Sequence, residues 1–213
     1  MSNSPDSTSI FGEAIAEHLA VVRQMKDQLG VLEAIAQAMT ATLRSGCKIF
    51  WCGNGGSAAD SQHLAAEIVG RFRRKRRGLP SVALTTDTSI LTAVANDYGY
   101  EAVFSRQVEA LGVKGDLLVG ISTSGDSPNV VAALQIARSM GLCTIGFTGA
   151  GGGEIAALVD HLFVVASKDT ARIQEAHILA GHMLCDWIEL DWIQTQVAVE
   201  VQIPAVAQTG GAC

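Results

Sequence analysis

The stretch CGNGGSAADSQHLAAEI, residues Cys52–Ile68, joins a short apolar run to a segment with helical spacing through a glycine-rich loop. The run before it, KIFWC, has the length and composition of a buried strand. The same order recurs along the chain, where SVALTT, DLLVGIS, CTIGFTG and HLFVVA each precede a helical segment. Strands that are apolar on both faces and alternate with helices predict a parallel sheet between two helix layers, an α/β fold.

The N-terminal part of the chain carries a different pattern. From Phe11 to about Ser45, apolar residues recur at helical spacing, which predicts one or two amphipathic helices over 10–45. Residues 1–9 are polar and are expected to form a disordered terminus, and residues 199–213 a flexible tail. With no repeat or linker inside 46–198, we expect that range to form one domain.

Composition excludes several classes of function. The chain is 48% hydrophobic and 17% charged, which is typical of a globular protein. Its net charge of −6 argues against direct nucleic-acid binding, which needs a basic face. No apolar run reaches the roughly 18 residues of a membrane span, and no secretory signal is visible. The 5 cysteines form no C-x-x-C pair, which favours reduced thiols and a cytoplasmic location.

The first glycine-rich loop resembles two nucleotide-binding motifs only in part. Gly53, Gly55 and Ala58 fit the dinucleotide pattern G-x-G-x-x-[G/A] after a strand. The next strand, however, reaches its first acidic residue only at Asp87, well beyond the roughly 20-residue offset of a ribose-binding carboxylate. A P-loop is excluded because no Gly-Lys-Ser/Thr follows the loop.

A second polar loop, STSGDS, follows the run DLLVGI and precedes a predicted helix over 128–140. Its hydroxyls and the free backbone N–H groups of a helix N-terminus would suit one phosphate monoester. The alternative is an ordinary N-cap by Ser127 with Pro128 at the first helical position. A cap needs one hydroxyl, whereas this loop has four, on Ser122, Thr123, Ser124 and Ser127.

Acid–base and metal-ligating side chains lie on two predicted helices. His63 and Glu67 are four residues apart and share a helix face, a spacing that is also common for surface ion pairs. The segment RIQEAHILAGH, Arg172–His182, adds Gln174 and His182. Those two residues are about 12 Å apart along an ideal helix, so both could reach one ion only between them or across a subunit boundary.

Four segments together resemble the phosphoheptose isomerases of the sugar isomerase (SIS) domain family: CGNGGSAADSQHLAAEIVGRF, VANDYG, ISTSGDSPNVV and ARIQEAHILAGH. The resemblance covers roughly residues 11–197, in order. It implies a doubly wound, flavodoxin-like five-stranded parallel sheet in a three-layer sandwich. It also implies a homotetramer formed partly through the N-terminal helices, active sites at subunit boundaries and one zinc ion (Zn²⁺) per subunit.

The resemblance also implies an activity and its residues. Members interconvert sedoheptulose 7-phosphate and D-glycero-D-manno-heptose 7-phosphate through an enediol, the first step towards ADP-heptose for lipopolysaccharide. Glu67 and His182 match the catalytic pair, and the zinc ligands would be His63, Glu67, Gln174 and His182. The substrate-binding positions would be Asn54, Gly55, Gly56, Glu67, Asn96, Asp97, Ser122, Thr123, Ser124, Ser127 and Gln174.

Two questions stay open at this point. The same family contains a non-enzymatic adaptor that binds the replication initiator protein; it is similar in the loops but lacks the carboxylate and the second histidine that stand here as Glu67 and His182. The basic stretch RFRRKRRG, Arg71–Gly78, has 6 basic residues in seven positions. It is either a patch that steers phosphates or acidic partners, or a solvated loop after a helix.

Overall fold

A computed structural model describes residues 7–202, with side chains over 9–195. Seven helices and five strands make up this part of the chain. The helices are α1 (Ser7–Gln24), α2 (Leu29–Arg44), α3 (Gly56–Val69), α4 (Thr88–Tyr98), α5 (Ser105–Leu111), α6 (Pro128–Ser139) and α7 (Thr170–Gln202). The strands are β1 (Ile49–Gly53), β2 (Ser81–Ala83), β3 (Leu117–Ser122), β4 (Cys143–Thr148) and β5 (His161–Val164). Short 3₁₀ turns lie at Met25–Gln28, Tyr100–Ala102 and Glu154–Ala157.

The five strands form one parallel sheet in the order β2-β1-β3-β4-β5. This is the flavodoxin-like order, in which the chain reverses direction across the sheet between β1 and β3. The predicted doubly wound α/β fold is therefore confirmed. In such sheets ligands bind beyond the carboxyl ends of the strands at the reversal point, which here is where the two polar loops begin.

The sheet buries both of its faces because its strands alternate in the side they present. In β1, Ile49 and Trp51 pack into one apolar cluster, and Phe50 and Cys52 pack into the other. The first cluster contains side chains of α1, α2, α3 and α7, and the second contains side chains of α5 and α6. Helices therefore cover the sheet on both sides, and α3 and α7 lie on the same side.

The element boundaries differ from the sequence expectations in four places. Helix α3 ends at Val69 rather than near residue 73, and β2 has three residues because it pairs with β1 only over Ser81–Ala83. Helix α1 already begins at Ser7, so residues 7–9 of the expected disordered terminus are helical. Helix α7 continues to Gln202, through the first residues of the expected tail. The remainder of both terminal predictions, 1–6 and 203–213, lies outside the described residues.

In the part of the chain that the structure covers, no helix combines the length and the apolar character that crossing a bilayer requires.

Candidate active site

The two polar loops meet beyond the carboxyl ends of β1 and β3, which are neighbours in the sheet. Asn54, in the loop after β1, pairs with Asn129 in the first turn of α6. The two amides bond reciprocally: Nδ2 of Asn54 donates to Oδ1 of Asn129 at 2.9 Å, and Nδ2 of Asn129 donates back at 2.8 Å. The hydroxyl of Tyr100 donates to Oδ1 of Asn54 at 3.1 Å. This network fixes the orientation of the Asn54 amide and joins the first loop to the second.

The glycines of the first loop allow a close approach to α7. Gly55 has φ +55°, a conformation that favours glycine, and it precedes the first turn of α3. At Gly56 a Cβ atom would stand 2.8 Å from Oε1 of Gln174 and overlap the rest of that amide. The structure thus places the Gln174 amide against the first loop, and its roles as zinc ligand and substrate contact stay predictions.

His63, Glu67 and His182 meet one to three turns further along α3. Nε2 of His63 lies 2.9 Å from Nε2 of His182 and 3.5 Å from Oε1 of Glu67. His63 and Glu67 are therefore not a simple surface pair, because a third titratable side chain from α7 faces them. The His63 side chain is 48% exposed and that of Glu67 is 23% exposed, so the cluster opens to solvent.

Close packing of α3 against α7 explains why these side chains meet. A Cβ atom at Gly181 would stand 2.5 Å from a methyl carbon of the buried Leu64, so the two helices approach closely at this point. His63 is the neighbour of Leu64 in sequence, and His182 is the neighbour of Gly181. Burial lowers the pKa of His182, positive charge at His63 and Arg73 lowers it further, and the Glu67 carboxylate opposes them. The net direction favours a neutral imidazole that can accept a proton or bind a metal.

The second loop gathers three serine hydroxyls. Oγ of Ser122 lies 2.8 Å from Oγ of Ser127 and 3.3 Å from Oγ of Ser124. Ser127 stands at the N-cap of α6 but makes no side-chain capping bond. The ordinary N-cap explanation is thus wrong for this hydroxyl. It faces the loop interior instead, where a phosphate oxygen could replace the serine–serine contacts.

A cavity of about 260 Å³ adjoins the same loop. Thr123 and Ser124 line one side of it, and Ser167, Lys168 and Thr170, before and at the start of α7, line the other. Hydroxyls and one ammonium group around a space of this size would suit an anionic group. The cavity adjoins two of the four predicted phosphate residues, Thr123 and Ser124, and sequence patterns gave no sign of Lys168 beside them.

Two of the predicted substrate residues stand apart from this group. Asn96 and Asp97 lie on the exposed surface of α4 and bond to each other, with Nδ2 of Asn96 donating to Oδ1 of Asp97 at 2.8 Å. Among the described residues, no hydrogen bond joins either of them to the other predicted site residues. A role for them within one subunit stays a prediction.

The donor types for the predicted zinc ion are present, whereas their spacing is too close. Two ligands about 2.0–2.1 Å from a tetrahedral zinc are about 3.3 Å from each other, so the rings of His63 and His182 would have to part slightly. As the side chains stand between residues 9 and 195, no group of three or more His, Cys, Asp or Glu forms a metal site. Imidazole nitrogens and a carboxylate facing one another nevertheless fit the chemistry of zinc.

The structure adds two residues that sequence patterns did not indicate. The ring of Phe72 stacks on His182 with centroids 5.3 Å apart and an interplanar angle of 26°. Asp60, one turn before His63, has a carboxylate oxygen that is buried without a hydrogen-bond partner. Burial raises the pKa of Asp60 to about 6, against a lowering by His63. Phe72 and Asp60 carry no motif of their own, and only the folded structure shows that they lie at the site.

The simpler expectation for the basic stretch, a solvated loop after a helix, holds only in part, because some of its side chains pack against α7. Arg74 pairs with Asp186, the guanidinium of Arg77 lies over the ring of Trp192, and the Arg76 side chain is 1% exposed. The stretch is bound along α7. Arg71, Arg73, Lys75 and Arg77 stay exposed, so a steering role for their charge is still a prediction.

Comparisons with known proteins agree with this arrangement. The SIS domain family matches residues 12–149. The phosphoheptose isomerase of Roseiflexus sp. (strain RS-1) is 60% identical over 156 residues, which cover 73% of this chain and 79% of the relative. That of Aliarcobacter butzleri (strain RM4018) is 55% identical over 172 residues, covering 81% and 91%.

A solved structure gives the same result. The phosphoheptose isomerase of Neisseria gonorrhoeae superposes with a TM-score of 0.81 at 46% sequence identity, covering 85% of this chain and 98% of that one. The chain therefore belongs to the SIS domain family and, within it, to the phosphoheptose isomerases.

Proposed function

We propose that the protein interconverts D-sedoheptulose 7-phosphate and D-glycero-D-manno-heptose 7-phosphate. The observation that supports this most directly is the presence of two polar sites on the segments that follow the neighbouring strands β1 and β3. One holds the facing His63, Glu67 and His182, and the other holds the serine hydroxyls of Ser122, Ser124 and Ser127. The Asn54–Asn129 pair joins the loop before α3 to the first turn of α6, so the helix that carries His63 and Glu67 begins beside the serine loop.

The reaction moves a proton between C1 and C2 of the sugar. From the ketose, Glu67 would remove a proton from C1, and the resulting enediol would receive it back at C2. The proton on the C1 oxygen leaves while the C2 oxygen gains one, and His182, neutral because its pKa is lowered, would exchange these protons. Positioned acid–base groups of this kind typically contribute about 10²–10⁴-fold in rate.

The phosphate supplies binding energy far from the reacting carbons. Ser122, Thr123, Ser124 and Ser127 would bind its oxygens, with the N-terminus of α6 favouring the negative charge. Asn54, Gly55 and Gly56 would contact the sugar, and Asn96 and Asp97 would complete the site. Binding energy from a remote phosphate can hold C1 and C2 beside Glu67, which raises the rate rather than the affinity alone.

We infer that His63, Glu67, Gln174 and His182 hold one zinc ion per subunit. Bound there, zinc would act as a Lewis acid on the C1 and C2 oxygens. The donor types support this assignment, and Gln174 lies at the loop that contacts the sugar in the proposal. A small separation of the two histidine rings is required, which the 48% exposure of the His63 side chain permits.

The proposal also includes an oligomeric state and a cellular location. A homotetramer is supported by apolar side chains that α1 and α7 leave exposed, among them Phe11, Ile15 and Trp187. Consumption of a heptose phosphate in ADP-heptose and lipopolysaccharide synthesis would place the protein in the cytoplasm. The adaptor alternative has no support in the comparisons, where the relatives named above are isomerases.

Turnover of sedoheptulose 7-phosphate tests the proposal. Wild-type protein stripped by a chelator is assayed before and after zinc is added, beside Glu67→Gln and the control Glu109→Gln, which changes an exposed carboxylate on α5. We expect zinc-dependent formation of the aldose, a loss of at least about 10²-fold in kcat for Glu67→Gln, and no change for the control. Absence of turnover from folded wild-type protein at every zinc concentration would contradict the isomerase and favour the adaptor.

A further inference from the structure

A buried carboxylate on α7 organises the segment after α3. Glu189 is fully buried, two turns beyond His182. It accepts three consecutive backbone N–H bonds, from Phe72 at 2.7 Å, Arg73 at 2.8 Å and Arg74 at 2.9 Å. Burial alone would raise its pKa, but these bonds and the nearby Arg76 charge hold the pKa below its usual value. Glu189 is therefore a buried anion that fixes the backbone of 72–74.

Arg76, the ion-pair partner of Glu189, also hydrogen-bonds to the C-terminal end of α3. The buried guanidinium of Arg76 has its Nε 3.4 Å from Oε1 of Glu189, an ion-pair contact without hydrogen-bond geometry. Its Nη2 donates to the backbone oxygen of Glu67 at 2.8 Å, and its Nη1 donates to that of Gly70 at 3.1 Å. The last carbonyls of a helix have no partner within it, and a cation there is favourable.

The same segment covers the second catalytic side chain. Phe72, whose N–H bonds to Glu189, stacks on the ring of His182, and the guanidinium of Arg73 lies 5.0 Å from the centre of the Phe72 ring. His182 is thus held between His63 on one side and an aromatic ring on the other. Both members of the proposed pair, Glu67 and His182, contact groups that Glu189 fixes.

We propose that Arg76 and Phe72, fixed by Glu189, are positioning residues for catalysis: Arg76 sets the end of α3 that carries Glu67, and Phe72 sets the ring of His182. The inference rests on the proposed function, because it takes Glu67 and His182 as the reacting pair. In the described structure none of the three contacts the phosphate loop. Their removal should therefore alter the chemical step and leave phosphate binding unchanged.

A purely structural anchor would behave differently from a positioning device. An anchor stabilises the fold, and its loss lowers the melting temperature without a specific effect on turnover of the remaining folded protein. A positioning device sets the geometry of reacting groups, and a misplacement of about 1 Å can cost about 10²-fold in rate. Kinetics measured well below the melting temperature separate the two.

The variants are Arg76→Met and Arg76→Lys, and Phe72→Ala and Phe72→Tyr. Met removes the donors and the charge of the side chain, whereas Lys keeps the charge but lacks the planar fork that bonds the two carbonyls while it faces Glu189. Tyr keeps the ring that stacks on His182. We expect kcat to fall about 10–100-fold for Arg76→Met and Phe72→Ala, and to recover at least partly in Phe72→Tyr. KM and the inhibition constant of inorganic phosphate should stay within about threefold of wild type.

The matched control is Val108→Ala, which opens a cavity in the apolar cluster on the opposite face of the sheet. It should lower the melting temperature as the test variants do and leave kcat unchanged. Crystal structures of Phe72→Ala and wild type add a readout that needs no turnover: the His63–His182 separation, 2.9 Å here, should widen or lose its order in the variant.

Two results would overturn the inference. One is wild-type kcat in Phe72→Ala and Arg76→Met while wild type itself turns over sedoheptulose 7-phosphate. The other is a fall in kcat that Val108→Ala reproduces at an equal loss of melting temperature. Absence of turnover in wild type is a failure of the proposed function instead, and the histidine separation in the crystals then decides the positioning question alone.

Discussion

At the scale of single residues, His177 makes the stability of the folded state depend on pH. The ring is fully buried between Phe147 and Phe163, and its Nε2 lies 3.2 Å from the backbone oxygen of Thr148. Burial lowers the pKa of His177 to about 4, from an ordinary value of 6.5. Because the folded state resists protonation, its stability is fully present above pH 6.5 and falls as the pH drops towards 4.

The lowered pKa of His177 alone predicts that the free energy of unfolding falls by about 2 kcal/mol between pH 7 and pH 5. Urea unfolding at both pH values measures it, beside His177→Phe, which keeps an aromatic ring among Phe147 and Phe163 and removes the titrating group. The carboxylates contribute equally to both proteins, so the difference between the two losses isolates His177. Equal losses in wild type and His177→Phe would exclude this residue as the cause.

The residues proposed for the chemistry could be indicated from sequence, whereas those that hold them could not. The serines of the second loop are polar residues at a strand end, and the family resemblance supplied the proposed roles of His63 and Glu67. Asn129 and Phe72 gain their roles from partners 75 and 110 positions away, Asn54 and His182, which no local pattern indicates. The same holds for Arg76, whose charge alone predicts solvent exposure and whose partner, the buried Glu189, is 113 positions away.

At the scale of elements, the approach of α3 to α7 depends on a helical glycine. Alanine at Gly181 would press its Cβ against Leu64, which is fully buried, so the two helices would have to separate. Overpacking typically costs about 1–3 kcal/mol, partly offset by the better helix propensity of alanine, about 1 kcal/mol. We predict that Gly181→Ala lowers the free energy of unfolding by about 1 kcal/mol.

The matched substitution is Gly12→Ala, inside α1, where nothing lies within 4 Å of the new methyl group. It gains the helix propensity without the overlap and should raise the free energy of unfolding by about 0.5–1 kcal/mol. Urea unfolding of both variants measures the two signs. Stabilisation by Gly181→Ala would show that the α3–α7 contact is loose and would remove the packing explanation for the meeting of His63 and His182.

The order and type of the elements were predictable because apolar runs and helical spacing are local properties. Their ends were not, since tertiary contacts decide them. Helix α3 stops at Val69 because the backbone from Phe72 onwards bonds to Glu189 and Arg76 caps the last turn. Strand β2 stops at Ala83 because it lies at the sheet edge, with β1 as its one neighbour in the described sheet.

At the scale of the whole molecule, one side of the chain is too apolar for a surface that stays in water. On α1, Phe11 is 67% exposed and Ile15 60% exposed, and on α7 Trp187 is 41% exposed. A cavity of about 220 Å³ between α2 and α7 is lined by Leu29, Leu32 and Trp187, among others. Phe11, Ile15 and Leu19 stand four residues apart on one exposed face of α1, and an apolar face of this kind often marks a contact with another protein. Its position on the helices outside the sheet supports the proposed homotetramer.

Introducing charges into this apolar surface tests the proposed homotetramer. The double variant Phe11→Glu with Ile15→Glu lowers the net charge by 2, and the control Arg138→Glu, exposed on α6 on the opposite side of the sheet, lowers it by the same amount. We expect light scattering to give wild type and the control a mass near four times 22.3 kDa and the double variant a smaller assembly. Burying two carboxylates against an apolar partner is strongly unfavourable, so the subunits should separate.

If the double variant keeps the wild-type mass, the N-terminal helix does not contribute to the interface. A wild type that is already monomeric would instead reject the tetramer, and the exposed side chains of α1 would need another partner.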